Sequence, residues 1–269
     1  MKSVNFAIQL NHTREEELLE FQMSLREIGY DPLYYGLIPF SDEVTGTEDF
    51  DKFDVIVPYG TVKLIRLWQK GLLPKSVQVF YHEPSFDQFN YARLIPKELL
   101  LNGDVQYTTL GQIKDWQMAT DVFIKPTRDL KAFAGVIVSK GQTPGEEIFS
   151  RPQDSSLSDS EVVLIAPLRE IVKEFRNFVV DGKVIDSSIY KIGPKVTYER
   201  PSTEEFDQIH RFFDIVKSHY EPHDVYVVDF ALLADGQWVV IEYNCLNCAG
   251  MYSVDRRKIF NAIAHFVSQ

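Results

Sequence analysis

The stretch from Val225 to Asn244, VYVVDFALLADGQWVVIEYN, constrains this chain more than any other. Two runs rich in β-branched, aromatic and aliphatic residues flank Asp235-Gly236, a dipeptide suited to the positive φ angles of a type I′ turn. The spacing predicts a β-hairpin. With Asp235 and Gly236 as the two loop residues, Ala234 faces Gln237 and, counting back, Asp229 faces Glu242. Asn244, two residues on, shares the face of Glu242.

Two carboxylates opposed on a mostly apolar hairpin repel each other, and burying them uncompensated is costly. A cation belongs between them. Carboxylate and amide oxygens without imidazole or thiolate suit a hard ion, and magnesium holds one or two carboxylates while taking its other ligands from water and phosphate. The pattern points to a magnesium-nucleotide site with Asp229, Glu242 and Asn244 as metal ligands. The same spacing also fits a solvent-facing hairpin edge with two ordinary surface acids.

A chain of 269 residues, 45% hydrophobic and 25% charged, builds one large soluble domain or two packed together. A formal net charge of -11 argues against a non-specific nucleic-acid binder, which needs a basic surface to displace counterions. No apolar run approaches a membrane span and the N-terminus lacks a signal-peptide core, so the reading is a cytoplasmic protein without a membrane partner. Cys245 and Cys248 stand three apart. With no second Cys or His pair at zinc spacing, they read as reduced structural thiols rather than a redox or zinc pair.

From the start, Val4 to Leu10 reads as a strand. Thr13 and Glu16 make a capping box for a helix with an apolar stripe from Leu18 to Ile28, stopped by Gly29. Asp54 to Pro58 reads as a second strand, Val62 to Trp68 as a helix, and Val77 to Tyr81 as a third strand. This alternation predicts an α/β layer with parallel pairing over roughly the first hundred residues.

From Leu101 the character changes. Val122 to Lys125 is a strand ending in Lys125-Pro126, and a loop carrying Arg128, Lys131 and Gly135 precedes a strand from Val136 to Ser139. These cations either deliver charge to a phosphate chain or snorkel from a hairpin. Gly141 to Ser160 reads as a mobile loop or small insertion. Val162 to Leu168 is a strand whose end suits an apolar linker with backbone groups open to an adenine ring. EFRNFVV turns at Asp181-Gly182 and returns as KVIDSSIYK. Direct pairing across that turn sets Arg176 opposite Ser187 and Glu174 opposite Ile189, with Glu174 and Arg176 on one face and Lys191 at the far end. A packing helix spans Pro201 to Tyr220, and Ile259 to Val267 closes the chain.

The order of these pieces resembles the ATP-grasp superfamily: a strand ending Lys-Pro, a glycine-bearing loop, a strand-linker-strand unit with Glu-Phe, a helix, then an Asp hairpin ending Glu-x-Asn. It is closest to the phage and bacterial clade named for one arginine and two lysines. The resemblance implies an α/β (α+β grasp) fold, with an N-terminal α/β pre-grasp domain over residues 1–100 and a two-lobed ATP-grasp domain with antiparallel sheets over 101–269, the nucleotide between its lobes. Carried over, it implies ATP and Mg2+ as cofactors, Lys125 on the phosphates and Lys131 in the loop above them. Ala166, Pro167, Leu168 and Glu170 match the adenine linker, and Glu174 the ribose-binding acid. Asp229, Glu242 and Asn244 match the metal ligands. Many family ligases carry an arginine two residues before the hairpin aspartate. Here that position is Val227, and Arg176 or Lys191 is left to supply the catalytic charge. Gly250 and Ser253 match a segment that meets the acyl substrate.

Membership implies ligation of a carboxylate to an amine through an acyl phosphate, on a small molecule, peptide or protein terminus. Substrate candidates between the domains are Tyr59, His82, Glu83 and Arg93. Two alternatives stay open: a kinase acting on a hydroxyl, and a non-catalytic nucleotide-binding interaction module.

Overall fold

The computed structural model describes residues 2–11, 13–130, 132–151 and 157–269. The opening alternation of strand and helix folds as a parallel layer. β1 (Val4–Gln9) pairs in parallel with β2 (Leu33–Leu37) and β4 (Val55–Tyr59), and the short β3 (Val44–Thr45) runs antiparallel to β2, giving the order β3-β2-β1-β4. α1 (Glu15–Glu27) buries Phe21 and Leu25, while Leu19 and Met23 of the expected stripe face solvent. The Thr13–Glu16 capping box does not form. Thr13 Oγ1 instead donates to the Gln9 carbonyl at 2.6 Å, so its hydroxyl is spent on the end of β1 and Arg14 takes the N-cap.

α2 (Val62–Gln69) follows β4 as expected, but Val77 to Tyr81 is not a ladder strand. Val77 makes one isolated parallel bridge to Ile56, and the Phe80 N–H is taken by the Asn247 side chain at 2.8 Å. A side chain replaces the neighbouring strand there. Two single-turn helices, α3 (Glu83–Phe86) and α4 (Gln88–Tyr91), lead on to the next lobe.

That lobe is a four-stranded antiparallel sheet in the order β5-β8-β6-β7, built from β5 (Gln106–Thr109), β6 (Val122–Pro126), β7 (Val136–Val138) and β8 (Val162–Pro167). It has its own apolar cluster, including Ile113 of α5 (Leu110–Ile113) and Ile148 of α6 (Pro144–Phe149). Within the expected mobile loop from Gly141 to Ser160, α6 is a formed helix with a Thr143–Glu146 capping box and Pro144 in its first turn. The signal was present as TPGEE.

The largest sheet has the order β11-β10-β9-β12-β13, antiparallel throughout. Its strands are β9 (Ile171–Val180), β10 (Lys183–Ile192), β11 (Lys195–Glu199), β12 (Val225–Leu233) and β13 (Trp238–Asn244). One face, with Phe175, Val228 and Phe230, packs on Ile209, Phe212 and Phe213 of α7 (Thr203–Lys217). On the other face Phe178, Val180, Val225 and Val227 share a cluster with Phe6 and Phe21 of the N-terminal layer and with Ile259, Phe260 and Ile263 of α8 (Arg256–Ser268). This second face is apolar at one end only. At the other it carries Glu174, Arg176, Asp229 and Glu242, of which Glu242 meets Lys125 of the small lobe.

Candidate functional site

β9, β12 and β13 lie side by side, and their pairing sets Arg176, Asp229 and Glu242 in one row. Arg176 grips Asp229 with two hydrogen bonds, Nε to Oδ1 at 2.9 Å and Nη2 to Oδ2 at 2.7 Å, and Asn244 Nδ2 donates to Asp229 Oδ2 at 3.3 Å. From the small lobe Lys125 reaches across to Glu242 Oε2 at 2.7 Å. The row therefore reads cation, anion, anion, cation. Burial opposes charge on Arg176, yet the Asp229 carboxylate outweighs it and holds the guanidinium well above its ordinary range.

Asp229 does face Glu242, but the turn that brings them together is not the expected one. Leu233 N–H donates to the Gln237 carbonyl at 2.9 Å and Gly236 N–H to the Leu233 carbonyl at 3.0 Å, which makes a three-residue loop. Gly236 has φ +85° whereas Asp235 stays at negative φ, as a type I turn with a glycine bulge requires and a type I′ turn forbids. Near the tip the register is therefore displaced, with Phe230 opposite Val240. A bulge at Ile241 restores it so that Asp229 meets Glu242.

The second hairpin departs in the opposite way. Asp181 and Gly182 both have positive φ, as expected for type I′, but register shifts beyond Val184 and Ile189 move every later pair. Arg176 faces Ser188 rather than Ser187, and Glu174 faces Lys191 rather than Ile189. The correction joins Lys191 Nζ to Glu174 Oε1 at 2.7 Å. Of the two candidates, it is Arg176 rather than Lys191 that pairs with Asp229. Val227 is fully buried among Phe178, Val225 and Met251, so the position where an arginine was expected is closed to charge.

Between the two antiparallel sheets lies a cleft of about 550 Å³. Its lining includes the charged Lys125, Arg151, Arg169, Glu174, Lys191 and Glu242 and the apolar Pro167, Leu168, Ile171 and Ile241. Ala166 is buried behind the wall. Glu170 is outside the lining, its carbonyl accepting from Ala234 N–H at 3.2 Å. Lys131 lies outside the described residues. Arg128 turns away from the cleft to Glu161 and Glu83. Sequence reasoning missed Asn102, Phe123, Tyr190 and Ile241 in this wall. Tyr190 is raised well above its ordinary pKa by burial and then by Asp229 and Glu174.

The segment after Glu-x-Asn is stapled to the N-terminal layer. Fully buried Asn247 accepts from Phe80 N–H and donates Nδ2 to the Pro58 carbonyl at 2.8 Å, and Tyr59 donates its hydroxyl to the Ala249 carbonyl at 2.9 Å. Cys245 and Cys248 are free thiols, and burial pushes the Cys245 thiol up. Gly250 lends its carbonyl to Arg176 at 3.4 Å, while Ser253 Oγ lies 2.7 Å from Ser188 Oγ. Tyr252, at φ +47°, stacks between Tyr190 and Tyr198 with Arg176 over its face.

The cleft has the volume of a nucleotide site, and its lining combines the ion pairs Lys125–Glu242 and Lys191–Glu174 with apolar side chains and with Arg151 and Arg169. Two carboxylates and a carboxamide also suit a hard divalent ion. Among the described residues no group of three His, Cys, Asp or Glu is placed to hold a metal ion. Among the described residues no helix is long and apolar enough to cross a membrane.

A search of curated proteins finds no match. Among solved structures the chain is similar to a RimK domain protein ATP-grasp from Sphaerobacter thermophilus, with TM-score 0.60 and 13% identity over 98% of this chain and 100% of that one. It is similar to the VanG D-Ala:D-Ser ligase from Enterococcus faecalis, with TM-score 0.54 and 13% identity over 97% and 95%. It also resembles the ATP-grasp ligase PsnB complexed with a phosphomimetic variant of a minimal precursor, Mg and ADP, with TM-score 0.50 and 12% identity over 98% and 99%. At such identities the likeness is one of fold. The family model for the ATP-grasp domain, R2K clade family 2, matches residues 101–262, more than half of the sequence. The chain belongs to that family of the ATP-grasp superfamily.

Proposed function

We propose that this protein is an ATP-dependent carboxylate-amine ligase that releases ADP and works through an acyl phosphate. The observation that carries the reading is the charged row Arg176–Asp229–Glu242–Lys125, whose Glu242 and Lys125 line a nucleotide-sized cleft. Phosphoryl transfer asks little covalent chemistry of a protein. It asks for charge neutralisation and in-line positioning.

In this reading Lys125 and Lys191 hold the phosphates, and Glu174 takes the ribose. Pro167, Leu168 and Ile241 close on the base. Magnesium held by Asp229, Glu242 and Asn244 would supply further neutralisation of phosphate charge. Arg176, fixed by both oxygens of Asp229, has a second Nη1 hydrogen, beside the one given to the Gly250 carbonyl, for the carboxylate to be activated. The stapled segment from Asn247 to Ser253 forms the wall on which that acid rests, next to the N-terminal layer. An acyl phosphate hydrolyses readily, so catalysis needs water kept from the site.

The test is a mass-spectrometric screen for coupled products from magnesium-ATP with mixed amino acids, peptides and cell-extract proteins. ADP formed only when acid and amine are both present supports the ligase. AMP overturns it in favour of adenylation. A stable phosphorylated product without amine marks a kinase, and binding without turnover marks an interaction module.

A further inference from the structure

Cys245 and Cys248, the two cysteines of the chain, share one turn. Cys245 stands just before the single 3-10 turn Leu246–Cys248, and Cys248 N–H donates to the Cys245 carbonyl at 3.4 Å. A turn closed in this way keeps its first and fourth Cα atoms within about 7 Å, and a disulfide asks for about 4.4–6.8 Å. The sulfurs are neighbours too: after burial, a hydrogen bond with Cys248 is the next influence raising the Cys245 thiol. Cys245 is fully buried, whereas Cys248 is buried only in part. Among the described residues no third His, Cys, Asp or Glu joins them to hold a metal.

The surrounding fold fixes the turn. Asp129 Oδ2 accepts Cys245 N–H at 2.8 Å. Asn247, between the cysteines, accepts from Phe80 N–H, donates to the Pro58 carbonyl at 2.8 Å, and takes Gly60 N–H on its own carbonyl at 2.9 Å. Folding has already closed the loop that a disulfide would close, so a bond within the turn is favoured over a lasting bond to a separate thiol. The contacts that oxidation removes are weak ones. Cys245 Sγ donates to Asn247 Oδ1 at 3.6 Å and Cys248 Sγ to the Cys245 carbonyl at 3.8 Å. One accessible sulfur beside one buried sulfur is the division that thiol–disulfide exchange uses.

We propose that Cys245 and Cys248 form a reversible dithiol–disulfide couple, a modification site whose oxidant is a small disulfide such as glutathione disulfide. The Cys248 thiolate attacks one sulfur of glutathione disulfide. The sulfur–sulfur bond breaks, one glutathione leaves as a thiolate and is protonated, and the other stays on Cys248. Cys245 gives up its proton and attacks Cys248 Sγ, which releases the second glutathione. The protein loses two electrons and two protons, and the glutathione disulfide gains them. The couple lies directly after Asn244, and it stands or falls independently of the nucleotide reading.

The experiment equilibrates the folded protein with glutathione and glutathione disulfide over a range of ratios, from the reduced and from the oxidised side. Free thiols are then trapped with N-ethylmaleimide, and intact and peptide masses are read. Both cysteines are expected to lose alkylation together, with the same oxidised fraction from either side and full reversal by dithiothreitol. Cys245→Ser should stop at one glutathione on Cys248, and Cys248→Ser should stay unmodified while folded. Thermal unfolding checks both variants, and the unaltered protein alone decides if either does not fold. Two alkylated thiols at every ratio overturn the proposal. So does a bridge that forms only in urea, a glutathione adduct that persists on the unaltered protein, or a bridge between two chains.

Discussion

Arg176 and Asp229 stand directly opposite each other on adjacent strands, and one guanidinium spans both oxygens of one carboxylate at 2.9 and 2.7 Å. The pair is almost wholly buried, with side-chain exposures of 11% and 2%. Removing the carboxylate takes two hydrogen bonds from a buried guanidinium. Asp229→Ala is expected to destabilise the protein by about 3–5 kcal/mol, whereas joint replacement by Met at Arg176 and Leu at Asp229 recovers most of that loss. Urea unfolding of the two single variants and the double variant measures the coupling. Simple additivity of the single effects would show that the pair is not a unit.

Lys125 crosses from one lobe to the other to reach Glu242 at 2.7 Å. If it also holds phosphate, Lys125→Met weakens ADP binding by roughly 1.5–3 kcal/mol, the range of a charge-assisted hydrogen bond. Titration at two ionic strengths reads it, since part of the lost affinity should be salt-sensitive. Full affinity in the variant would remove Lys125 from the phosphate site.

Tyr252 holds a left-handed backbone at φ +47° while its ring stacks on Tyr190 and Tyr198, each with centroids 5.4 Å apart. A side chain with a Cβ pays about 1 kcal/mol for such a conformation, so Tyr252→Gly should be less destabilising than Tyr252→Ala. Both lose the stack. Equilibrium unfolding gives the order, and alanine proving the milder change would mean the backbone relaxes.

His223 is lowered below its ordinary pKa by burial, opposed by Asp224 and reinforced by His82. Its Nδ1 accepts from Val225 N–H at 3.3 Å, at the first residue of β12, and its ring meets Phe80 edge-on. The neutral ring is the one that fits. Its contribution is therefore complete above the unfolded value of about 6.5 and is lost as pH falls through the lower folded value. Between about pH 7 and pH 5 the parent should lose stability more steeply than His223→Gln. Identical slopes would place that acid sensitivity elsewhere.

Pattern in the sequence carries far, and where it stops has a physical cause. Opposition of Asp229 and Glu242 was legible because Asp235-Gly236 marks the turn and pairs can be counted back from it. Yet two local irregularities, a three-residue loop and the Ile241 bulge, cancel to produce it, and neither leaves a compositional trace. In β10 the bulges add instead of cancelling, so Lys191 arrives opposite Glu174 against the simple count. The Arg176–Asp229 pair depends on β9 lying next to β12, a long-range pairing that no local signal announces.

The most direct trial of acyl-phosphate chemistry follows oxygen. Carboxylate substrates enriched in the heavy oxygen isotope are supplied with amines and magnesium-ATP, and the released phosphate is analysed by mass spectrometry. A ligase of this kind transfers one labelled oxygen from the acid to inorganic phosphate, in step with ADP and coupled product. Label appearing in AMP, or coupled product accompanied only by unlabelled phosphate, would rule that chemistry out.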